Sequence, residues 1–192
     1  ALLDYDGDGL LDIYCVQSGF LKDAENEGPD SPPNQLFRNL GVDEGTGQPR
    51  FEDVTELTGT GDTSYGMGVA CGDYDRDGDM DLFVTNVGVN ILFRNEGPDE
   101  QGIVRFKDIT KTSGTEDVRW ATSAAFVDVD GDRDLDLYVV NNLLWHASTE
   151  TPCFNYFSER DYCSPNNYNA ASPDALFVMG RSRFQDWTPT SG

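Results

Sequence analysis

Histidine is nearly missing from this chain. His146 is the single one in 192 residues, which excludes any site needing two histidines from this polypeptide. Basic residues are scarce as well: 13 Lys and Arg stand against 35 Asp and Glu, for a formal net charge of −22. So acidic a surface argues against non-specific binding to nucleic acid or to acidic membranes, because both need a basic face. No apolar run approaches the roughly 18 residues of a membrane-spanning helix. No signal peptide is visible, and Ala1-Leu2-Leu3 reads as the end of a strand. No G-x-S-x-G elbow and no Gly-rich phosphate loop occurs. His146 has no nucleophile beside it in sequence, so the chain itself is read as non-catalytic.

Glutamate is also in short supply, with 10 Glu against 25 Asp. A disordered acidic tail or a helical surface would use Glu at least as freely. With 20 Gly and 9 Pro, the Asp excess points to turns or to oxygen-rich cation sites. Hydrophobic residues at 38% and aromatics at 11% argue against full disorder. Of four cysteines, Cys153 and Cys163 lie in a polar, aromatic stretch and can form a loop disulfide. Cys15 and Cys71 sit in apolar strand-like runs and read as buried free thiols. This usage tilts toward an oxidising compartment.

The chain repeats. The segment Asp73-Tyr74-Asp75-Arg76-Asp77-Gly78-Asp79-Met80-Asp81-Leu82-Phe83-Val84 has one counterpart beginning at Asp4 and another beginning at Asp128. After each copy comes a second element: Asn34-Gln35-Leu36-Phe37-Arg38-Asn39, Asn90-Ile91-Leu92-Phe93-Arg94-Asn95, and the weaker Asp174-Ala175-Leu176-Phe177-Val178. A third follows: Phe51-Glu52-Asp53-Val54-Thr55, Phe106-Lys107-Asp108-Ile109-Thr110 and Phe184-Gln185-Asp186-Trp187-Thr188. A fourth precedes the next Asp-rich loop, over 65–71 and 120–126. All are short, rich in β-branched or aromatic residues and bounded by Gly, Asn or Asp, which is the pattern of strands. Four strands per repeat, here called A to D, at a period of ~40–50 residues stretched by insertions, predict propeller blades. The fold class is therefore all-β, a segment of about three four-stranded blades from a larger β-propeller. The blades span 1–58 with an insertion at 18–33, 59–113, and 114–192 with a long insertion at 143–173.

The Asp-rich loop joins strand A to strand B and reads Asp-x-Asp-x-Asp-Gly-x-x-Asp. Carboxylates spaced by two in a tight loop converge on one point. Calcium, which takes about six to eight hard oxygen ligands in irregular geometry, suits such a loop better than magnesium does. The expected ligands are the side chains at positions 1, 3, 5 and 9 and the carbonyl at position 7. In loop one these are Asp4, Asp6, Asp8 and Asp12, with Leu10. In loop two they are Asp73, Asp75, Asp77 and Asp81, with Asp79. In loop three they are Asp128, Asp130, Asp132 and Asp136, with Asp134. About three Ca²⁺ ions are expected, one per loop. An EF-hand is excluded, since its position 12 needs a bidentate Glu and here holds Cys15, Val84 and Val139. Loop three carries Arg133 where the others have Gly9 and Gly78. That position makes the sharp turn, so loop three is expected to be the outlier.

These residues resemble the FG-GAP/VCBS repeats of integrin-α-like propellers, closest to those of ASPIC/UnbV proteins and the cartilage acidic protein family. The Asp loop, Asp-Leu-Phe-Val-Thr-Asn, Asn-x-Leu-Phe-Arg-Asn and Phe-x-Asp-Val-Thr carry the likeness, which covers the chain apart from its two insertions. The resemblance implies a seven-bladed propeller, calcium in the A–B loops, and an extracellular, cell-surface or periplasmic setting.

In a propeller the B–C loops emerge opposite the A–B loops. Here they hold 16 residues (18–33), 3 residues (87–89) and 31 residues (143–173). The third carries Trp145, His146, Phe154, Tyr156, Phe157, Tyr162 and Tyr168 with the cysteine pair. Rigid aromatics on a stapled loop suit recognition of a protein or a glycan; packing against a neighbouring blade or domain is the other reading. The remaining propeller blades, in this or an associated chain, are partners in either case. The function expected is adhesion, scaffolding or assembly. The alternative is the propeller of a secreted enzyme, of polysaccharide lyase or phospholipase type, whose catalytic residues lie outside this chain.

Overall fold

The computed structural model describes residues 1–19, 31–145, 152–161, 163–164 and 171–188. It contains three four-stranded antiparallel sheets. The first holds β1 (Leu2–Leu3), β2 (Asp12–Cys15), β3 (Gln35–Val42) and β4 (Pro49–Asp53), in that order. A single helical turn, α1 (Thr55–Thr58), leads to the second sheet: β5 (Gly66–Gly72), β6 (Asp81–Asn86), β7 (Ile91–Pro98) and β8 (Val104–Asp108). A second turn, α2 (Thr110–Ser113), leads to β9 (Ala121–Val127) and β10 (Asp136–Asn141). The small hairpin β11 (Cys153–Phe154) and β12 (Arg160–Asp161) intervenes before β13 (Ala175–Met179) and β14 (Phe184–Asp186) complete the third sheet. This is the meander of a β-propeller blade, three times over. The two helical turns were not legible in the strand patterning. Among the described residues no helix is long and apolar enough to cross a membrane.

The repeated sequence elements map onto repeated bonds. In the Asp-x-Thr that ends each strand D, Thr55 donates its hydroxyl to Asp53 (2.6 Å) and accepts the Leu36 amide of strand C (2.9 Å). Thr110 does the same between Asp108 (2.7 Å) and Leu92 (2.9 Å). In the third blade Thr188 accepts the Leu176 amide at 3.3 Å. The polar residue before strand C pins the far end of strand B: Asn34, Asn90 and Asp174 accept the amides of Gln17, Asn86 and Asn141 at 2.7, 2.9 and 2.9 Å. Because the ends of the B–C connection are tied in this way, its length can vary without disturbing the sheet.

Strand period decides how the blades stack. Alternate side chains of a strand point to opposite faces, and all six residues of β6 are buried. Leu82 and Val84 enter the core shared with the first blade, beside Tyr14, Leu36 and Phe106. Phe83 enters the core shared with the third, beside Leu137, Val139 and Phe177. A ring at loop position 2 meets the strand D phenylalanine of the next blade, Tyr5 on Phe106 at 6.3 Å and Tyr74 on Phe184 at 5.5 Å. Phe51 and Val129, the corresponding residues on the two outer faces, are exposed. Truncating the fully buried Phe83 to Ala should cost about 3–5 kcal/mol by emptying that shared core. Denaturant unfolding of the full-length protein measures it, and a loss below 1 kcal/mol would contradict the stacking described.

Candidate metal centre

Each Asp-rich loop is folded by its own carboxylates before any ion is considered. Asp4 at position 1 accepts the amides of Asp8 (3.1 Å) and Gly9 (2.9 Å). Asp73 accepts those of Asp77 and Gly78, both at 3.1 Å. Loop three differs slightly: Asp128 accepts the amides of Gly131 (2.7 Å) and Arg133 (3.1 Å). The position 5 carboxylates turn the chain back, as Asp8, Asp77 and Asp132 accept the amides of Leu10, Asp79 and Asp134 at 2.9, 3.0 and 2.8 Å.

Position 9 is the most buried member. Asp12 and Asp81 are 0% exposed and Asp136 is 1% exposed. Each spans two amides with its two oxygens. Asp12 holds Tyr5 and Asn39 (3.0 and 2.7 Å), Asp81 holds Tyr74 and Asn95 (3.1 and 2.9 Å), and Asp136 holds Val129 and Met179 (2.9 and 2.8 Å). Burial pushes the Asp81 carboxyl up from 3.8 to about 7, against the lowering effect of the two amides. Burial likewise raises Asp12, and raises Asp75 with help from the neighbouring Asp77.

Each loop brings three of its four expected carboxylates together, leaving out Asp12 in loop one, Asp77 in loop two and Asp132 in loop three. Oxygens lie within 4.8 Å of one another in Asp4, Asp6 and Asp8, in Asp73, Asp75 and Asp81, and in Asp128, Asp130 and Asp136. The donors are oxygen throughout, which fits a hard divalent cation and not a soft one. The three groups are not identical. In loop one the converging set has Asp8 where the other loops have their position 9 residue. There the Arg38 guanidinium also lies against the site, with Nε 2.6 Å from Asp6 and Nη2 3.3 Å from Asp8.

Residues 4–84 and 77–139 match the family described as FG-GAP-like repeat. The chain belongs to the FG-GAP-like repeat family. It is also 32% identical over 178 residues to cartilage acidic protein 1 of Xenopus tropicalis, covering 88% of this chain and 24% of that protein. Its identity to the human protein of that name is 32% over 174 residues, covering 88% and 22%. The chain thus spans about a quarter of the length of the curated relatives it matches. The FG-GAP-like match takes in all three Asp-rich loops, the part of the chain where geometry and repeat coincide most closely.

The second candidate site of this FG-GAP-like chain is divided. Cys153 and Cys163 are bridged, with Cα atoms 5.2 Å apart, across the β11–β12 hairpin. At its tip Tyr156 is 96% and Phe157 78% exposed, their rings edge to face at 5.6 Å. Phe154 is exposed beside them. Trp145 does not join this display. It is half-buried and packs edge-on against Trp120, the residue just before β9, at 5.8 Å. His146, Tyr162 and Tyr168 lie outside the described residues. Cys15 and Cys71 are free and half-buried.

The position 6 turn is left-handed in every loop, at φ 86° for Gly9, 99° for Gly78 and 77° for Arg133. So is position 4, with Gly7 at 71°, Arg76 at 61° and Gly131 at 82°. Loop three is therefore not the sole outlier. Loops two and three each hold one arginine in a conformation that favours glycine, and loop one holds none. The loop pattern specifies Gly at position 6 alone and leaves position 4 open. Arg133→Gly should stabilise the metal-free protein by about 1 kcal/mol. Arg76→Gly should gain less, because it forfeits the ion pair of Arg76 with Asp134, 2.5 Å long and worth ~0–1 kcal/mol in its exposed setting. Urea unfolding in EDTA orders the two variants, and an equal or larger gain from Arg76→Gly would contradict the accounting.

Proposed function

We propose that the chain is a non-catalytic, calcium-binding propeller segment of an extracellular protein, serving adhesion, scaffolding or assembly through protein or glycan binding. The observation that carries the calcium reading is the convergence of three carboxylates within 4.8 Å at the same place in each of three repeats. Like charges packed so closely repel, and burial of the position 9 carboxylate adds a desolvation cost. A hard dication relieves both. Three bound Ca²⁺ would bring the formal charge from −22 to about −16, which eases self-repulsion across the loop face.

The disulfide supports an oxidising, extracellular setting. The stapled hairpin supports a recognition role, since its aromatic tip is exposed while its base is held. The exposed Phe51 and Val129 stand on the outer faces at the positions where the inner faces make their Tyr–Phe contacts, and further blades of the same kind are the partners that fit them. In the chain the Asp-rich loop leads into β10 and the segment carrying the hairpin leaves it, so the two proposed sites are reached from opposite ends of that strand.

Calcium should raise the Tm of the full-length protein, because it binds the folded state by mass action. The effect depends on pH with a definite sign. Asp81 is raised to about 7 in the metal-free chain, so its contribution to stability is complete below the ordinary carboxylate pKa and is lost as pH rises through about 7. A bound dication favours the charged form and cancels that loss. The Tm difference between calcium and EDTA should widen from about pH 5 to about pH 8. No difference at any pH would remove the metal reading. For the hairpin, Tyr156→Ser with Phe157→Ser should weaken capture of a protein or glycan ligand by about tenfold or more, as expected of exposed anchor residues, with Tm unchanged. Undiminished capture on protein and glycan arrays would rule the tip out.

A further inference from the structure

Loop one has an internal cation that loop two has placed elsewhere, and the difference follows from one residue. Arg38 and Arg94 occupy the same position of strand C, in Leu-Phe-Arg-Asn of β3 and of β7. Arg94 is bound by Glu96, its Nε 2.9 Å from Oε1. Residues two apart on a strand share a face, so Glu96 is within easy reach. In the first blade that residue is Leu40, which cannot hold a guanidinium. Glu52 stands opposite Arg38 in the β3–β4 register, yet the guanidinium lies on loop one. Its Nε is 2.6 Å from Asp6, an approach off the N–H axis and so a charge contact, and its Nη2 donates to Asp8 at 3.3 Å. The Asp6 side chain is 10% exposed, which leaves this contact less screened than an open surface pair. In the third blade the position is Val178, so loop three has no such residue from strand C.

We infer that Arg38 is a built-in competitor for the loop-one cation: it neutralises Asp6 and Asp8 in the metal-free state, must be displaced when a dication binds, and thereby sets loop one to a weaker affinity than its four aspartates would otherwise give. Glu96 performs the opposite service for loop two by withholding Arg94. This inference rests on the reading that loop one holds a cation. Its consequence is graded occupancy: loop two fills at lower calcium than loop one, although loop one carries no backbone strain at positions 4 and 6.

The test is a calcium titration by calorimetry on the full-length protein carrying Asp73→Asn and Asp128→Asn, so that loop one is read against silenced neighbours. Arg38→Gln should bind calcium roughly three- to tenfold more tightly, the range expected for loss of one partly screened ion pair, and should lower the calcium-free Tm. Leu40→Glu should tighten binding by a similar factor by drawing Arg38 away. A double-mutant cycle separates that effect from simple added charge. If Glu at position 40 works through Arg38, its gain vanishes when Gln stands at 38; if the gain persists, the proposal fails. In the converse experiment, with loops one and three silenced by Asp4→Asn and Asp128→Asn, Glu96→Leu should weaken loop two by freeing Arg94 toward Asp75. Calcium binding with unchanged affinity in Arg38→Gln and Leu40→Glu overturns the Arg38 role alone. No calcium binding to loop one in any of these proteins overturns the underlying metal reading as well.

Discussion

The buried carboxylate at loop position 9 is the fastening on which the blade depends. It sits at the start of strand B with almost no exposure in any of the three sheets. One oxygen accepts an amide from the loop and the other accepts an amide from strand C. The A–B loop is thereby locked to the third strand as well as to its own two. Burying a carboxylate is costly, and two backbone donors offset part of that cost without a counter-charge from the protein. The residual cost is visible in the high pKa of Asp81, and the calcium proposed for the loop would offset it.

Around that fastening the repeat is variable where variation is harmless. Strand C bears the Asn that closes the loop in two blades: Asn39 donates to the Leu11 carbonyl and Asn95 to those of Met80 and Tyr5. The bond from Asn95 to Tyr5 crosses from the second blade to the first, so the loops are braced against one another. Met179 stands at this position in the third blade and keeps the amide bond without the side-chain bond. The third loop is instead reached from its neighbour, through Arg76 of loop two and Asp134. Each loop consequently has a different arrangement of nearby cationic side chains on a common backbone.

The blade strands, their order within each repeat and the acidic loops were legible in the sequence; the β11–β12 hairpin inside the third insertion was not. Turn residues, β-branched runs and the repeat itself encode local structure directly, and FG-GAP-like membership agrees with them. Some roles were not legible. Asp53 and Asp108 look like two more acids in an acidic chain, yet they orient Thr55 and Thr110, which hold strand C. The left-handed backbone at Arg76 was hidden because the loop pattern leaves position 4 free. Trp145 looked like part of an aromatic display, and its contact with Trp120, 25 positions earlier, turned it inward.

By itself the sequence determined what repeats: where each strand runs, which turns carry carboxylates, and which two cysteines are near enough in the chain to be joined. These are properties of neighbouring residues, and spacing expresses them. What the sequence left open was decided by packing between elements far apart in the chain. Whether Arg38 faces its cross-strand partner or the acidic loop, which face of β6 serves which neighbouring blade, and which aromatics remain in water all depend on surfaces that exist once the sheets are stacked. The free energy that settles them comes from charges and rings brought together over long sequence separations, and no local pattern records that meeting.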